Sequence, residues 1–246
     1  MICVIFFASY VVHGLAGEKL DSILSQVKEF VTTSPKEVVL IDFNHVYSRA
    51  EDRTLSTRLL FAKIQQYLGE HLCSRKNISD ITLAYLWKIN KQVLVFLDTP
   101  LSPARLPSYV WKSTAYITSP FDMKTFQDPE KWMEFLSRNY DSARPKNTFY
   151  VTQGILQPHW IEVLAGQAVN ATLKTWISQT ANPLLIDWIR NRRSGADGVN
   201  IIIADFIESY RFVPTVVSLN NQTQRLSFVL RNLLVMLTVS VNVIIF

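Results

Sequence analysis

Five stretches of this chain share one device, an apolar run that ends on a polar residue. Residues 2–12 run into His13-Gly14-Leu15, and residues 38–41 run into Asp42-Phe43-Asn44-His45. Residues 93–97 end at Asp98, 149–152 at Gln153, and 199–204 at Asp205. Unbroken runs of Val, Ile and Phe suit a parallel sheet covered on both faces. Polar residues gathered at the carboxyl ends of such strands mark the side of an α/β protein on which chemistry sits. The pattern fixes the place of a site before its reaction.

The segments between these runs have helical periodicity. In 17–33, Leu20, Ile23, Leu24, Val27, Phe30 and Val31 recur at three- and four-residue spacing, and Ser34-Pro35 ends the pattern. Further helices are expected over 53–71, 81–87, 129–140, 160–180 and 183–192, with Pro183 in a first turn and a short helix beginning at Pro214. Residues 99–128 hold Pro100, Pro103, Pro107 and Pro120 and read as a long functional loop. Strand–helix alternation implies a parallel sheet with right-handed crossovers. Five strands are fewer than the eight of a closed (β/α) barrel.

Composition removes some function classes. A net charge of +5, with Lys and Arg dispersed among acids, gives no nucleic-acid stripe. Cys3 and Cys73 are far apart in sequence and fit a reduced, intracellular setting better than a disulfide or metal site. The apolar start could be a secretory signal or a buried strand. No Lys or Arg precedes it, which favours the strand. Residues 226–246 are mostly apolar, and three readings compete for them: a membrane tail anchor with Arg225 and Arg231 at the cytoplasmic interface, a terminal segment with no folded role, and a β-prone segment that patches an open sheet edge.

Among candidate site residues, His13 ends the first strand, with Gly14 leaving room for a ligand. Alternation along a strand puts Asp42 and Asn44 on one face and Phe43 and His45 on the other. Asp42 and Asn44 are therefore expected to line the site and His45 to be structural. Asp98 and Asp205 either join the site or cap following helices. Arg190, Arg192 and Arg193 are expected to cap a helix carboxyl end. No Gly-rich phosphate loop, nucleophile elbow or metal-spaced His pair occurs.

These residues resemble a known family. His13-Gly14-Leu15, the run from Ser34 to His45, Tyr85-Leu86-Trp87, the run from Gln92 to Phe96, Asp128-Pro129-Glu130-Lys131 and the run from Gly198 to Phe206 look like the X-domain-containing relatives of phosphatidylinositol-specific phospholipase C. The resemblance implies a TIM-like (β/α) barrel that cleaves the phosphodiester of phosphatidylinositol with two histidines, one acting as base on the inositol 2-hydroxyl and one as acid on the leaving oxygen. His13 matches the acid. The family's first histidine, and the Asp-Leu-Arg strand that supplies a phosphate-binding arginine, have no counterpart in the twelve residues before His13. The resemblance therefore implies an amino-terminally shortened barrel lacking its first two strands, with weak or no activity.

An enzyme and a non-catalytic membrane-associated binding module both stay open. The barrel domain is expected over 1–219 and an apolar tail over 220–246. His13 is the catalytic residue, and Asp42, Asn44, Asp98 and Asp205 contact substrate. No metal or cofactor is expected, since Phe43 stands where calcium-dependent relatives carry an acid. Expected partners are an inositol phospholipid or membrane surface and, through open sheet edges, other copies of the chain. The expected location is cytoplasmic, with membrane attachment through residues 226–246.

Overall fold

The computed structural model describes residues 9–13, 15–48, 53–122, 124–142, 145, 147–157, 172, 174, 179–195, 197–226 and 237–245. The chain forms two compact units, Met1–Tyr116 with Met236–Phe246, and Ile117–Val235. Both are mixed α/β with parallel strand pairs, and the described residues include no closed barrel.

In the first unit, β1 (Ser9–His13), β2 (Leu15–Lys19), β3 (Val39–Ser48), β4 (Val93–Leu97), β5 (Val110–Lys112) and β9 (Leu237–Ile245) make one sheet in the order β2-β1-β9-β3-β4-β5. β3, β4 and β5 are parallel, with Asp42 opposite Phe96 and Phe96 opposite Trp111. Strand parity sorts their side chains. Val39, Ile41, Phe43, Val93, Val95, Leu97 and Val110 join a core with Leu20, Leu24 and Val31 of α1 (Leu20–Thr33) and Leu60, Ile64 and Leu68 of α2 (Arg53–Leu68). Lys63 of α2 holds both carboxylate oxygens of Asp21 of α1 at 2.6 Å. Leu40, Asp42, Phe96 and Trp111 occupy the other parity, and the Phe96 and Trp111 rings lie 5.9 Å apart.

Single side chains fasten the loops of this unit. The buried Gln92 amide donates to the carbonyls of Val31, Ser34 and Glu37, each at 3.0 Å, tying the end of α1 to the start of β4. Arg75 donates to the carbonyls of Pro103, Leu106, Pro107 and Val110. The proline-rich segment expected to be one long loop is thereby folded into an edge strand, β5, followed by the short helix α4 (Ser113–Tyr116). Thr82 caps α3 (Leu83–Ile89), accepting from the Tyr85 amide.

The second unit has a three-stranded parallel sheet, β6 (Ile117–Thr118), β7 (Phe149–Gly154) and β8 (Ile201–Ala204). Helices α5 (Pro129–Asp141), α6 (Gln179–Arg190) and α7 (Phe212–Leu226) accompany it. Its core gathers Phe126, Trp132, Leu136, Leu185, Ile189, Val199, Phe212 and Leu219. Asp128 caps α5 through the amides of Glu130 and Lys131. Asn200 accepts from the Tyr150 amide, and the Trp132 indole donates to the Gln153 carbonyl. Pro183 lies inside α6 rather than at its start, because the helix begins four residues earlier than periodicity indicates. The helix expected over 160–180 falls almost wholly outside the described residues.

The terminal apolar segment differs most from a membrane-anchor reading. Residues 237–245 form a strand, in keeping with their Val-Ile alternation, but not at an edge: β9 lies between β1 and β3, antiparallel to the first and parallel to the second. Among the described residues no helix is long and apolar enough to cross a membrane.

Candidate functional site

Asp42 and Asn44 lie within β3, which does not end at Ile41 but continues to Ser48; Asp42 is level with the carboxyl end of β4, which Asp98 follows, while Lys112 ends β5 and Ser113 follows it. The parallel register places Asp42 level with Phe96 and Trp111, so Ser113, the next residue after β5, comes within reach across β4. Ser113 Oγ donates to Asp42 Oδ1 at 2.6 Å. Burial pushes the Asp42 carboxyl above the usual carboxylate range. The Ser113 hydrogen bond opposes that shift, and the nearby Asp98 charge adds to it. Asp98 itself is exposed, and its backbone N–H donates to the Phe43 carbonyl at 3.0 Å. Asp42 and Asp98 are thus brought together. Ser113 was not expected from sequence. The signal for it is the pair Val110-Trp111, a short apolar step inside a proline-rich stretch.

Asn44 sits where the β3–β9 ladder shifts register, between Phe43 opposite Val241 and His45 opposite Asn242. Such an irregularity re-aims the residues around it. Simple alternation therefore does not fix the face of His45, whose side chain lies outside the described residues. His13 ends β1, which runs antiparallel to β9 and so approaches the sheet against the direction of β3. Continuing the register beyond Val11 opposite Val243 brings His13 level with Val241, and hence with Phe43. Two strand spacings, about 10 Å, separate the backbones at that level. The His13 side chain is also outside the described residues.

Asp205 belongs to the second unit, at the carboxyl end of β8. Burial raises its pKa. Asn182 of α6, itself buried, donates to the carbonyls of Asp205 and Phe206 at 3.0 and 3.3 Å. The loop beyond holds Phe206, Tyr210 and Arg211 at φ of 53°, 56° and 61°. Three non-glycine residues in the left-handed region within six positions constitute a strained segment. Asp205 therefore does not cap α7, whose first residue, Phe212, lies seven positions on.

Phe43, where a carboxylate would be needed beside Asn44, is fully buried in the apolar core. Among the described residues no three His, Cys, Asp or Glu side chains could share an ion. Cys73 is a buried free thiol with its pKa pushed up to about 11 by burial, so it is no nucleophile.

Fold and site together define a mixed α/β protein with parallel strand pairs, in whose first unit Asp42 and Asp98 lie close together. Comparison with known proteins narrows this. The chain is 35% identical over 211 residues to the PI-PLC X domain-containing protein 3 of Danio rerio, covering 86% of this chain and 62% of that protein. The Mus musculus protein of the same name is 33% identical over 211 residues, 86% of this chain and 63% of its own length. The Mus musculus PI-PLC X domain-containing protein 2 is 31% identical over 212 residues, 86% and 59%. The chain belongs to the family of PI-PLC X domain-containing proteins. It spans about three fifths of the length of these relatives. No family model matches the chain. No solved structure matches it either.

Proposed function

We propose that the chain is a phosphoric diester hydrolase-type protein that engages phosphatidylinositol at a cytoplasmic membrane face and, within these 246 residues, turns it over weakly or not at all. The carrying observation is the cluster of Asp42, Asp98 and Ser113 across the parallel strands β3, β4 and β5, in a chain homologous to PI-PLC X domain-containing proteins. Carboxylates so placed accept hydrogen bonds from vicinal hydroxyls of an inositol ring, with Asn44 as a further contact. His13 takes the role of proton donor to the departing diacylglycerol oxygen, a step suited to an imidazole that titrates near neutrality. This reading takes the parallel sheets to derive from a TIM-like barrel.

Weak turnover follows from the missing partner. The family resemblance gives the base on the inositol 2-hydroxyl no counterpart among the residues before His13, and loss of a general base costs roughly 100- to 10,000-fold in rate. The same absence favours the second reading, a non-catalytic binding module. The test incubates the purified protein with phosphatidylinositol vesicles and measures released inositol phosphate and vesicle-bound protein. The expected result is binding with turnover at least about 100-fold below an intact phospholipase C of this type, any residue of which is lost in His13→Ala. Rapid turnover, or turnover indifferent to His13→Ala, would overturn the assignment. Binding without turnover selects the module.

A further inference from the structure

Three basic residues at the end of α6 are not used by the site above, and they do not share one role. Arg190 pairs with Asp187 at 2.9 Å, one turn back on its own helix. Arg192 lies beyond the helix end, and its guanidinium packs in the corner of two rings, with its carbon 4.8 Å from the Tyr140 centroid and 4.6 Å from that of Trp188. Those rings meet edge to face at 5.7 Å and 84°. The local fold holds them there. The Trp188 indole donates to Ser137 Oγ at 2.9 Å, and the Arg193 amide donates to the Tyr140 hydroxyl at 3.3 Å.

The donors of Arg192 are largely unspent. Its Nε is buried with no acceptor among the described residues. Nη2 reaches only Ser137 Oγ, at 3.5 Å, an oxygen that already accepts from the indole. Among the described residues neither Arg192 nor Arg193 has a carboxylate within ion-pair distance, since Asp187 is taken by Arg190. A guanidinium stacked on aromatic faces is held in one plane and partly stripped of water. In that state its fork binds a planar or tetrahedral oxyanion better than a free arginine would.

We propose that Arg192, stacked between Tyr140 and Trp188 and flanked by Arg193, is the centre of a phosphomonoester-binding site on the second unit. The excess of unpaired cations selects a dianion over a carboxylate. The site precedes β8 in the chain, whereas Asp205 follows it. It serves to hold a ligand or a surface and takes no part in bond cleavage.

Calorimetric titration of the full chain with inorganic phosphate at constant ionic strength tests this. Saturable binding is expected, weakened at least tenfold in Arg192→Gln and in Arg192→Lys, which keeps charge but loses the fork, and changed less than twofold in Arg190→Gln. Sedimentation with neutral-lipid vesicles carrying either phosphatidylinositol 4-phosphate or phosphatidylinositol identifies the source. Retention that needs both the monoester and Arg192 assigns a lipid head group, whereas phosphate binding without retention assigns a soluble phosphomonoester. Absence of binding to either probe overturns the proposal, as does equal affinity in Arg192→Lys. The Lys variant decides the matter if Arg192→Gln fails to show a cooperative thermal transition.

Discussion

Asp42 is the residue at which environment and chemistry are most tightly linked. Its carboxyl is pulled away from water by the strands around it and by Phe96 and Trp111 beside it in register, and Asp98 adds a like charge. A group whose folded pKa lies above its unfolded value costs stability while charged, and the cost fades as pH falls through the raised pKa toward the ordinary carboxylate range. Asp42→Asn keeps an acceptor for Ser113 Oγ while deleting the charge. At pH 7 the variant is expected to melt higher by roughly 2–4 °C, the shift that about 1 kcal/mol produces in a chain of this size. Thermal melts between pH 7 and pH 4 should show this advantage shrinking as the wild-type carboxyl takes up its proton. A constant or growing gap would mean that Asp42 is not desolvated. Several residues that carry the family resemblance prove structural at this scale. Gln92 collects three carbonyls, Asp128 caps α5, and Asn200 secures the start of β7. Their residue types were legible in the sequence, but their partners, up to 61 positions away, were not.

At the scale of elements, β7 shows how tightly a parallel strand is enclosed. It pairs with β8 in register, Gly154 opposite Ala204, and α6 packs close by. A Cβ on Gly154 would stand 2.4 Å from Leu185 Cδ2 and 2.5 Å from the Ile203 carbonyl oxygen. The first neighbour is a side chain that can turn aside; the second is backbone and cannot move without opening the ladder. Gly154→Ala is therefore expected to destabilise the second unit by about 1–3 kcal/mol, the usual cost of overpacking. Urea unfolding followed by far-ultraviolet circular dichroism measures it, and a loss below about 0.5 kcal/mol would contradict the packing described. Helix periodicity located α1, α2 and α5 within three residues at each end, because each buries one apolar stripe in a core. β5 and β6, at three and two residues, carry too few alternations to be read from pattern alone. They exist because Arg75 and neighbouring strands impose them.

On the scale of the molecule, the decisive element is β9. It forms two ladders, to β1 and to β3, and lies within the sheet of the first unit although some 190 residues separate it from β3 in sequence. Deleting residues 227–246 would leave β3 with an open edge and β1–β2 as an isolated hairpin, which is marginal in water. The shortened protein is expected to lose at least about 3 kcal/mol, from several ladder hydrogen bonds each worth roughly 1 kcal/mol net, and to associate through the exposed edge. Chemical denaturation with light scattering reads both effects. An unchanged transition, coupled with loss of membrane association, would restore the anchor reading. The sequence by itself determined the mixed α/β class with parallel strands, the registers of α1, α2 and α5, and the family, because each is written in local periodicity or in short motifs. Only the tertiary structure decided that Ser113 meets Asp42, that Arg192 stacks between two rings instead of capping a helix, and that the last apolar stretch is a central strand. Those outcomes depend on which distant segments fill each strand's open hydrogen-bonding edge, and side-chain patterning along one segment carries no record of its neighbours.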